Sequence, residues 1–430
     1  GDIVVTAQRR EETAQKTALS LSVFSGDDLR DAGIARPDDL TRLAPGLQVS
    51  GGTTTQVYVR GVGDFGVTAT ANPAVATSLD GVAIARPQAI SGNFFDLQRV
   101  ELLKGPQGTL YGRNASGGAL NLITAAPVPG EFSGYAEINV GNYDQYGIEG
   151  AFNVPGGDDG AFRLSYNLNR RDGFLSDGSN DDDREALRFQ SLFEVGALKL
   201  RTQLSYLHLG GTGTGIAVAP RLPGLSPWTG NTDPRAGAAF MAAAAPQVNG
   251  ALAGGATPAP PPAGNCPPAP ALLSNPANSR LFQNVRSFGA HLQLDYDLGG
   301  AVLTVIPAYR RTDARFAIQP SFLYNVGGVF GSNGERGKGE TSDQTSLEVR
   351  LGGESDLLKW VVGGYYFSED QTNDFALQGG MILNQRVIGA LGTKALAGFG
   401  QLTFNVSDRF RVTGGIRYTS DERTSKSIAK

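Results

Sequence analysis

Few residues of this chain have the types and spacing that could do chemistry. The glycine-rich stretches GVGDFG at 61–66 and GPQGTLYG at 105–112 invite a phosphate-loop interpretation, but neither ends in Gly-Lys-Ser/Thr. Three successive aspartates at 181–183 offer oxygen ligands for calcium, yet the glycine and glutamate of an EF-hand loop are absent at the required spacing. We therefore interpret the glycine stretches as turns and the aspartates as part of a solvated surface loop.

The chain has two histidines, His208 and His291, and a single cysteine, Cys266. One cysteine excludes an intrachain disulfide and any multi-cysteine metal site. His291 falls on the polar side of an alternating segment, where we interpret it as a hydrogen-bonded wall residue. Since no Ser/His/Asp arrangement is evident either, the sequence predicts no enzyme, no bound metal and no cofactor.

Composition restricts the class of protein further. Of the 430 residues, 59 are glycine and 23 are proline, while only 18% are charged, so the chain is rich in turn residues and poor in helix formers. A net charge of −4 argues against a nucleic-acid partner, which requires a basic surface. No apolar stretch is long enough for a transmembrane helix, so an α-helical membrane protein is excluded and a β-barrel remains open.

The elements that must position any site fall into two parts that meet near residue 130. The first part has short apolar runs between glycine turns and two helix signals: SGDDLRDAG, with Ser25 as the N-cap, and RPDDLTRLAPG, with Pro37 at the first helical position. It predicts a small α+β domain over 16–130. From residue 131 onward, strict alternation of apolar and polar residues predicts long β-strands.

Eleven alternating segments make up the second part of the chain. They are 132–140, 143–154, 160–171, 185–195, 197–210, 286–297, 301–318, 341–352, 357–370, 395–406 and 409–421. Strands of soluble proteins average about five or six residues, whereas a strand needs about ten to cross a bilayer at a tilt. The lengths therefore favour membrane-spanning strands over a soluble β-sandwich.

The connections between these segments are alternately short and long after the first hairpin. The long ones are 172–184, 211–285, 319–340 and 371–394. Outer-membrane barrels combine tight periplasmic turns with extended extracellular loops, and a loop as long as 211–285 is uncommon in a compact soluble domain. The sequence predicts an all-β transmembrane barrel over 131–430.

Four spaced motifs resemble those of TonB-dependent outer-membrane receptors. The stretch DLQRVELLKGPQGTLYGRNASGGALNLIT at 96–124 is similar to the plug domain of that family, in a wording closest to alphaproteobacterial receptors. TRLAPGLQVS at 41–50, VYVRGVG at 57–63 and SLDGVAI at 78–84 are similar in the same order. The opening IVVTA at 3–7 resembles a TonB box.

The resemblance implies three domains. A TonB box and linker would occupy 1–15, an N-terminal α+β plug domain inside the lumen would occupy 16–130, and 131–430 would form the N-terminal half of the barrel, with 211–285 as a long extracellular loop. The family barrel has 22 antiparallel strands. We therefore expect that the other half of the barrel lies outside these 430 residues, and that the residues after 421 enter an extracellular loop.

The resemblance also implies roles for individual residues. Those expected to bind TonB by β-strand addition are Ile3, Val4, Val5, Thr6 and Ala7. Those expected to seat the plug are Arg60, Gly61, Arg99, Glu101, Lys104, Gly105, Gly112, Arg113, Gly117 and Gly118. Those expected on the floor of the substrate site, in the segments after VYVRG and SLDGVAI, are Asp64, Phe65, Asn72, Arg86, Gln88, Asn93 and Phe94.

The function implied by the resemblance is TonB-dependent, energy-coupled import of a scarce substrate across the outer membrane of a Gram-negative bacterium. The substrate would be a ferric siderophore or a similar metal chelate. The expected partners are the periplasmic protein TonB with its inner-membrane motor, the small-molecule substrate and outer-membrane lipid, with no nucleic acid. Import of aromatic compounds or oligosaccharides by the same class of transporter remains open, and a passive channel or structural surface protein is the alternative of another class.

The alternation also predicts which strand faces are lipid-exposed. Residues expected to face the lumen are Glu137, Arg163, Asp295 and Arg350, and those expected to face lipid are Phe162, Leu164, Leu292 and Val349. An arginine facing lipid near the middle of the bilayer costs about 2–4 kcal/mol. We therefore expect Leu164→Arg to impair assembly more than Ser165→Arg.

Overall fold

The computed structural model describes residues 4–6, 8–10, 12–13, 15, 17, 19–51, 54–64, 72–175, 178–213, 281–318, 329–332, 339–379, 383–407 and 410–429. These residues form three parts. An opening segment, residues 4–17, precedes a small mixed domain, here called the plug, at residues 19–124. The plug packs against one face of a large antiparallel sheet, here called the wall, at residues 133–429.

The described residues of the opening segment and the plug form nine strands and two α-helices. The strands are β1 (Val4–Val5), β2 (Glu12–Thr13), β3 (Leu21–Ser25), β4 (Leu47–Ser50), β5 (Gln56–Val59), β6 (Val75–Leu79), β7 (Val82–Ala83), β8 (Leu97–Lys104) and β9 (Gly118–Thr124). The helices are α1 (Gly26–Asp31) and α2 (Gly108–Tyr111), with 3₁₀ turns at Pro37–Arg42, Pro87–Ala89 and Ser91–Asn93. Five of the strands form one sheet in the order β3-β8-β9-β6-β7.

Both helix signals of the sequence lead to helical structure. The Ser25 hydroxyl accepts a hydrogen bond from the backbone N–H of Asp28 at 3.1 Å, which is the expected N-cap of α1. Pro37 opens a 3₁₀ turn rather than an α-helix. Leu29 of α1 and Leu40 of the 3₁₀ turn are both buried in the core of the plug, so these short elements close over the sheet.

In the part of the chain that the structure describes, the wall is a twelve-stranded sheet in which all the paired strands are antiparallel. Its strands are β10 (Ser133–Gly141), β11 (Gln145–Pro155), β12 (Gly160–Arg171), β13 (Asp182–Val195), β14 (Leu198–Gly210), β15 (Phe282–Asp297), β16 (Ala301–Ile318), β17 (Val329–Ser332), β18 (Glu340–Glu354), β19 (Leu358–Gly379), β20 (Leu383–Ser407) and β21 (Phe410–Ala429). Among the strands that the structure describes, β10 and β21 lie at opposite ends of the sheet.

The structure corrects the expected strand ends in three places. The short β17 lies inside the predicted loop 319–340, where it pairs with β16 and β19. β19 and β20 pair as far as Gly379 and Leu383, so most of the predicted loop 371–394 is strand. β21 continues to Ala429 beside β20, so residues 422–429 extend a strand instead of entering a loop. The connection 211–285 is described only at its two ends, since 214–280 lie outside the described residues.

These strand ends were misjudged because alternation of apolar and polar residues marks only the part of a strand that has one apolar and one polar face. QTNDFALQG at 371–379 has polar residues on both faces, yet every residue from Thr372 to Gly379 has a ladder partner on β20. Only the part of a strand that contacts lipid needs an apolar outer face. Beyond that band the ladder continues without the period-two pattern.

Within the wall, alternate residues face opposite sides as the sequence predicts. On β12, Arg163 and Ser165 contact the plug, whereas the intervening Leu164 is 40% exposed on the outer face. Ser165 is completely buried under the plug, so an arginine at this position would be crowded. Ser165→Arg is therefore a poor control for the effect of a lumen-facing arginine. Other large apolar side chains exposed on the outer face are Ile148, Phe152, Leu187, Leu204, Phe288, Val349, Val362, Leu396, Leu402, Val412 and Ile416.

The core joins the plug to the wall. Leu79 and Leu120 of the plug sheet belong to the same apolar cluster as Leu207 of β14 and Phe316 of β16, and all four are buried. The plug is therefore held against the inner face of the wall partly by apolar packing. Searching the described helices for one of sufficient length and hydropathy to cross a membrane finds none.

Candidate functional site

The opening segment is docked on the plug. Val4 and Val5 pair antiparallel with Thr13 and Glu12, so the expected box residues are extended, but with a partner from their own chain. Val5 is buried in a small apolar cluster with Leu103 of β8. Ile3 and Ala7, the other apolar residues of the predicted box, lie outside the described residues.

The carboxylate of Glu101 on β8 connects this segment to the plug sheet. It accepts the backbone N–H of Thr6 at 2.9 Å and the Nε–H of Arg99 at 2.8 Å. Its second oxygen accepts the side-chain amide of Asn121 on β9 at 3.2 Å. Glu101 is 0% exposed, so these partners replace the solvation that the charge loses on burial.

Arg9 links the same segment to the wall. Its guanidinium pairs with Glu348 of β18 at 3.3 Å and lies 5.0 Å above the ring centre of Tyr111. Burial raises the pKa of Tyr111 to about 12, so its hydroxyl stays protonated near neutral pH while accepting a 2.6 Å hydrogen bond from Asn121. The opening segment thus contacts both the plug and the wall through charged side chains.

A buried cluster around Asp96 fixes the start of β8 against the wall. Arg163 of β12 donates two hydrogen bonds to the Asp96 carboxylate, at 2.9 and 2.6 Å, and the hydroxyl of Ser165 donates a third. The backbone N–H of Asp96 donates to Glu149 of β11 at 3.1 Å. Alternation placed Arg163 in the lumen, but no sequence signal identified Asp96 as its partner.

Asp80, in the turn between β6 and β7, forms a second such cluster. Its carboxylate accepts the backbone N–H of Thr124 at 3.0 Å and the Thr124 hydroxyl at 2.8 Å, and Arg201 of β14 lies 3.6 Å away. Burial alone would raise the pKa of Asp80, but the charge of Arg201 and the hydrogen bond from Thr124 outweigh it, so the pKa lies below its ordinary value. Asp80 is therefore ionised throughout the neutral range.

Two residues expected on the substrate floor face carboxylates of the wall. Arg86 lies 2.8 Å from Glu369 of β19 and 3.6 Å from Glu340 of β18. Gln88 donates to Glu340 at 3.1 Å. Both side chains are buried, so in this structure they connect plug and wall. Their contact with substrate stays a prediction.

The other residues of the expected floor do not form one cluster with this pair. Asn93 is buried and its backbone carbonyl accepts Arg188 of β13 at 3.2 Å. Asn72 accepts a hydrogen bond from Arg113 at 3.4 Å, in a different part of the plug. Asp64 is described but lies in neither group, and Phe65 is outside the described residues.

The residues expected to seat the plug fall into two groups by their contacts. Arg113 and Gly112 contact the wall: the Arg113 guanidinium lies 5.1 Å from the Phe367 ring centre, and a Cβ on Gly112 would come within 2.6 Å of Arg417. The remaining contacts are within the plug or to the opening segment. They involve Arg99 with Glu101, Arg60 with Ser20, Lys104 N–H with the Ser20 carbonyl, and Gly105 N–H with the Gly117 carbonyl.

At two of these glycine positions, a residue with a side chain would be strained or would clash. Gly112 has φ of +73°, a conformation that side-chain-bearing residues rarely adopt, directly against the wall. At Gly118 a Cβ would collide with the carbonyl oxygen of Leu103 on the neighbouring strand. Gly61 has φ of +79° in an exposed turn with open space around it. The seating role of these residues stays a prediction.

A cleft of about 780 Å³ opens between the plug and the wall. Gly51, Ser91 and Phe94 line it from the plug, and Arg171 and Gly210 line it from the wall, where the long connections leave β12 and β14. Phe94 is the residue of the expected substrate floor that reaches this cleft. The cleft is the candidate entry for a ligand of small-molecule size.

The aspartates at 181–183 have structural partners. Asp181 accepts the backbone N–H groups of Thr212 and Gly213 at 2.6 and 2.7 Å, and Asp182 pairs with Arg184 at 2.7 Å. Asp182 and Asp183 lie at the start of β13, so the interpretation of all three aspartates as a solvated surface loop is wrong for these two. Within the described part of the chain, no three His, Cys, Asp or Glu side chains converge as metal ligands.

Two family models match this chain. The TonB-dependent Receptor Plug Domain matches residues 13–119, and the TonB dependent receptor-like, beta-barrel model matches residues 228–429. Together they account for more than half of the sequence, in the order that the fold requires. The chain belongs to the TonB-dependent receptors. As a member of this family it is a protein of the outer membrane of a Gram-negative bacterium.

Among curated proteins, this TonB-dependent receptor is 35% identical to the pesticin receptor of Yersinia pestis over 210 residues, which are 46% of this chain and 29% of that protein. It is 31% identical to the vitamin B12 transporter BtuB of Photobacterium profundum over 186 residues, which are 40% of this chain and 28% of that protein. The aligned regions therefore span less than a third of either relative.

Solved structures show the same fold. The ferric yersiniabactin uptake receptor FyuA from Yersinia pestis superposes with a TM-score of 0.73 at 20% identity, covering 97% of this chain and 58% of that one. The pyoverdine outer membrane receptor FpvA from Pseudomonas aeruginosa superposes with a TM-score of 0.71 at 17% identity, covering 99% of this chain and 60% of that one. At these identities the likeness concerns the fold alone.

Proposed function

We propose that this TonB-dependent receptor imports a scarce small molecule, a ferric siderophore or a similar metal chelate, by TonB-dependent energy coupling. The substrate class is supported by the relatives, two of which are named for yersiniabactin and pyoverdine uptake. In this proposal the receptor is a transporter and not an enzyme. Its partners are TonB, the chelate and the lipid against the outer face of the wall.

The observation that carries the proposal is the docking of the opening segment. Its β1–β2 ladder contains only two residue pairs, and its backbone is bonded to the plug through the Thr6–Glu101 contact. A two-residue ladder is a poor competitor against a longer strand pairing, because affinity in strand addition comes from main-chain hydrogen bonds. The segment can therefore exchange its present partner for an edge strand of TonB.

The contacts between plug and wall suit a domain that must be moved. Charged pairs join the plug to at least four wall strands: Asp96 to β12, Asp80 to β14, and Arg86 to both β18 and β19. Once water can enter, a separated ion pair is solvated, whereas separated apolar surfaces are not. Charged contacts therefore allow the plug to be rearranged stepwise.

The test is the uptake of a ferric siderophore in cells expressing the receptor with Val5→Pro. Proline lacks the N–H that a strand ladder needs, so we expect uptake to be lost while ligand binding and membrane insertion remain. Val5→Ala is the matched control, since it removes side-chain packing but keeps the N–H, and we expect it to retain uptake. Undiminished uptake in the proline variant, or uptake in cells lacking TonB, would favour a passive channel and contradict the proposal.

A parallel panel of ligands tests the substrate class. Competition binding to the purified receptor, with ferric siderophores, aromatic acids and oligosaccharides as probes, measures the class without depending on TonB. Binding of the ferric chelates alone is the expected result. Binding of only aromatic acids or oligosaccharides would refute the iron assignment while leaving energy coupling untouched.

A further inference from the structure

A row of inward-facing residues on the wall lies beneath plug residues 86–95. Arg188 of β13, Ser205 of β14, Gly289 of β15 and Arg310 of β16 are opposite one another in successive strand pairs. In the adjacent row, Gln203 of β14 is opposite His291 of β15. The 3₁₀ turns Pro87–Ala89 and Ser91–Asn93 cover these rows from the plug side.

Three of these side chains are buried with polar atoms that have no hydrogen-bond partner. Arg310 is 4% exposed and its buried Nε atom has no hydrogen-bond partner. Gln203 is 1% exposed and neither its amide oxygen nor its nitrogen is bonded. The Nε2 atom of His291 is also unpaired. Buried polar groups without partners are rare in folded proteins, and each of them calls for a partner such as a water molecule or an ion.

The charge around these groups is positive. Arg188 donates to the backbone carbonyls of Phe95 and Asn93 at 3.0 and 3.2 Å, which are neutral acceptors. The carboxylates that act on Arg188 are Asp80, Asp96 and Glu149. Each already has a partner: Arg201 lies beside Asp80, Arg163 pairs with Asp96, and Asn167 donates to Glu149.

The next carboxylates along the wall, Glu340 and Glu369, pair with Arg86. Arg310 is therefore buried with no ion-paired carboxylate among the described residues, which is unfavourable unless a counter-ion is present.

The two residues between Arg188 and Arg310 in this row, Ser205 and Gly289, are small. A Cβ on Gly289 would come within 3.3 Å of Arg310 Nη1 and 2.8 Å of Ser205 Oγ, so the Arg310 guanidinium lies over Gly289. The plug covers this space from the other side. An occupant must therefore be small, and the free groups that face it are a guanidinium and a carboxamide that can donate hydrogen bonds.

We propose that a small inorganic anion of the chloride type binds between Arg310, Arg188 and Gln203, and fixes the plug segment 86–95 to the wall. The anion supplies the negative charge that the row lacks and accepts the unused N–H groups. Because Arg188 holds the carbonyls of Asn93 and Phe95, neutralising its charge stabilises the seat of that segment. This inference does not depend on the identity of the imported substrate.

The experiment measures thermal unfolding of the full chain in detergent against chloride concentration, with gluconate keeping the ionic strength constant. We expect a saturable rise of Tm with chloride, as linkage requires for a ligand of the folded state. Loss of one charged hydrogen-bond partner weakens binding about tenfold or more. We therefore expect Arg310→Gln to shift the chloride midpoint upward by at least that factor.

Arg311→Gln is the matched control, because Arg311 is the next residue of β16 but points outward to Asp313 and Asp343. It should keep the wild-type chloride dependence. Gln203→Leu is a second variant, which removes hydrogen-bond donors without changing the charge. If Arg310→Gln does not fold, Gln203→Leu provides the same test and should also raise the chloride midpoint. Crystals containing bromide should show an anomalous peak beside Arg310. A Tm independent of chloride, an equal dependence in both arginine variants, or no bromide peak at this row would overturn the proposal.

Discussion

Replacing Glu101 by glutamine should release the opening segment from the plug. The substitution keeps the shape of the side chain and removes the charge that accepts the Thr6 N–H at 2.9 Å and the Thr6 hydroxyl at 3.3 Å. One of the two carboxylate oxygens is replaced by an NH2 group, which cannot accept a hydrogen bond. The contact between the segment and β8 therefore becomes a neutral hydrogen bond at best.

The size of the effect follows from the change in hydrogen-bond type. A hydrogen bond to a charged group contributes about 1.5–3 kcal/mol, and a neutral one about 0.5–1.5 kcal/mol. The difference, about 1–2 kcal/mol, corresponds to a factor of about 5–30 in an equilibrium constant. We expect the released fraction of the opening segment to rise by that factor.

Hydrogen exchange of the Thr6 amide measures the release directly, since its N–H is bonded to Glu101 only when the segment is docked. The affinity of the isolated periplasmic domain of TonB should increase by a comparable factor, because less free energy is needed to undock the segment. Glu131→Gln is the control, since Glu131 is exposed in the segment of the chain that connects the plug to the wall.

Glu101 also pairs with Arg99, so a general loosening of the plug must be distinguished from release of the segment. Exchange in β9 serves this purpose, because its residues Gly118–Thr124 lie at the centre of the plug sheet. Faster exchange at Thr6 with unchanged exchange in β9 is the expected result. Equal Thr6 exchange in wild type and variant, with the plug intact, would refute the argument.

Three other predictions concern the seat of the plug and the outer face. Leu164→Arg should reduce assembled receptor more than Asn167→Arg, because an arginine on the lipid face costs about 2–4 kcal/mol; heat-modifiable gel mobility measures assembly, and equal losses would contradict the orientation. Asp96→Asn leaves Arg163 without its charged partner, so we expect the plug to lose about 3–5 kcal/mol of docking stability in denaturant titrations. The pKa of Asp80 is lowered, so its contribution is present above its unfolded pKa near 3.9 and is lost as pH falls through the lower folded pKa. Scans of Tm between about pH 5 and 2 should show a flatter acid decline for Asp80→Asn, and parallel curves would refute this.

The sequence was sufficient to predict those features of the fold that depend on a single strand or helix. A strand between lipid and lumen must alternate, so Arg163 inside and Leu164 outside could be read from their positions alone. The cap at Ser25 was equally local, since its partner Asp28 is three residues away. Strand ends were less predictable, because pairing between β20 and β21 continues where lipid no longer constrains the sequence.

The contacts between plug and wall could not be read in this way. Asp96 and Arg163 are 67 residues apart, and Arg86 and Glu369 are 283 residues apart. Their pairing depends on how the plug rotates inside the wall, which no local pattern encodes. Arg86 shows the consequence: its motif position suggested a ligand contact, while the docked plug places it beside two carboxylates.

These long-range contacts determine how force on the opening segment would be distributed. Thr6 is attached to β8 of the plug, Arg9 to Glu348 of β18, and Gln8 accepts a hydrogen bond from Gln401 of β20 at 3.0 Å. A pull along the chain would therefore load wall contacts at residues 8 and 9 before it reached α1 and the core of the plug. Under the proposed function, separating the segment from the wall is an early step of transport, and the apolar contacts of Leu79 and Leu120 resist until later.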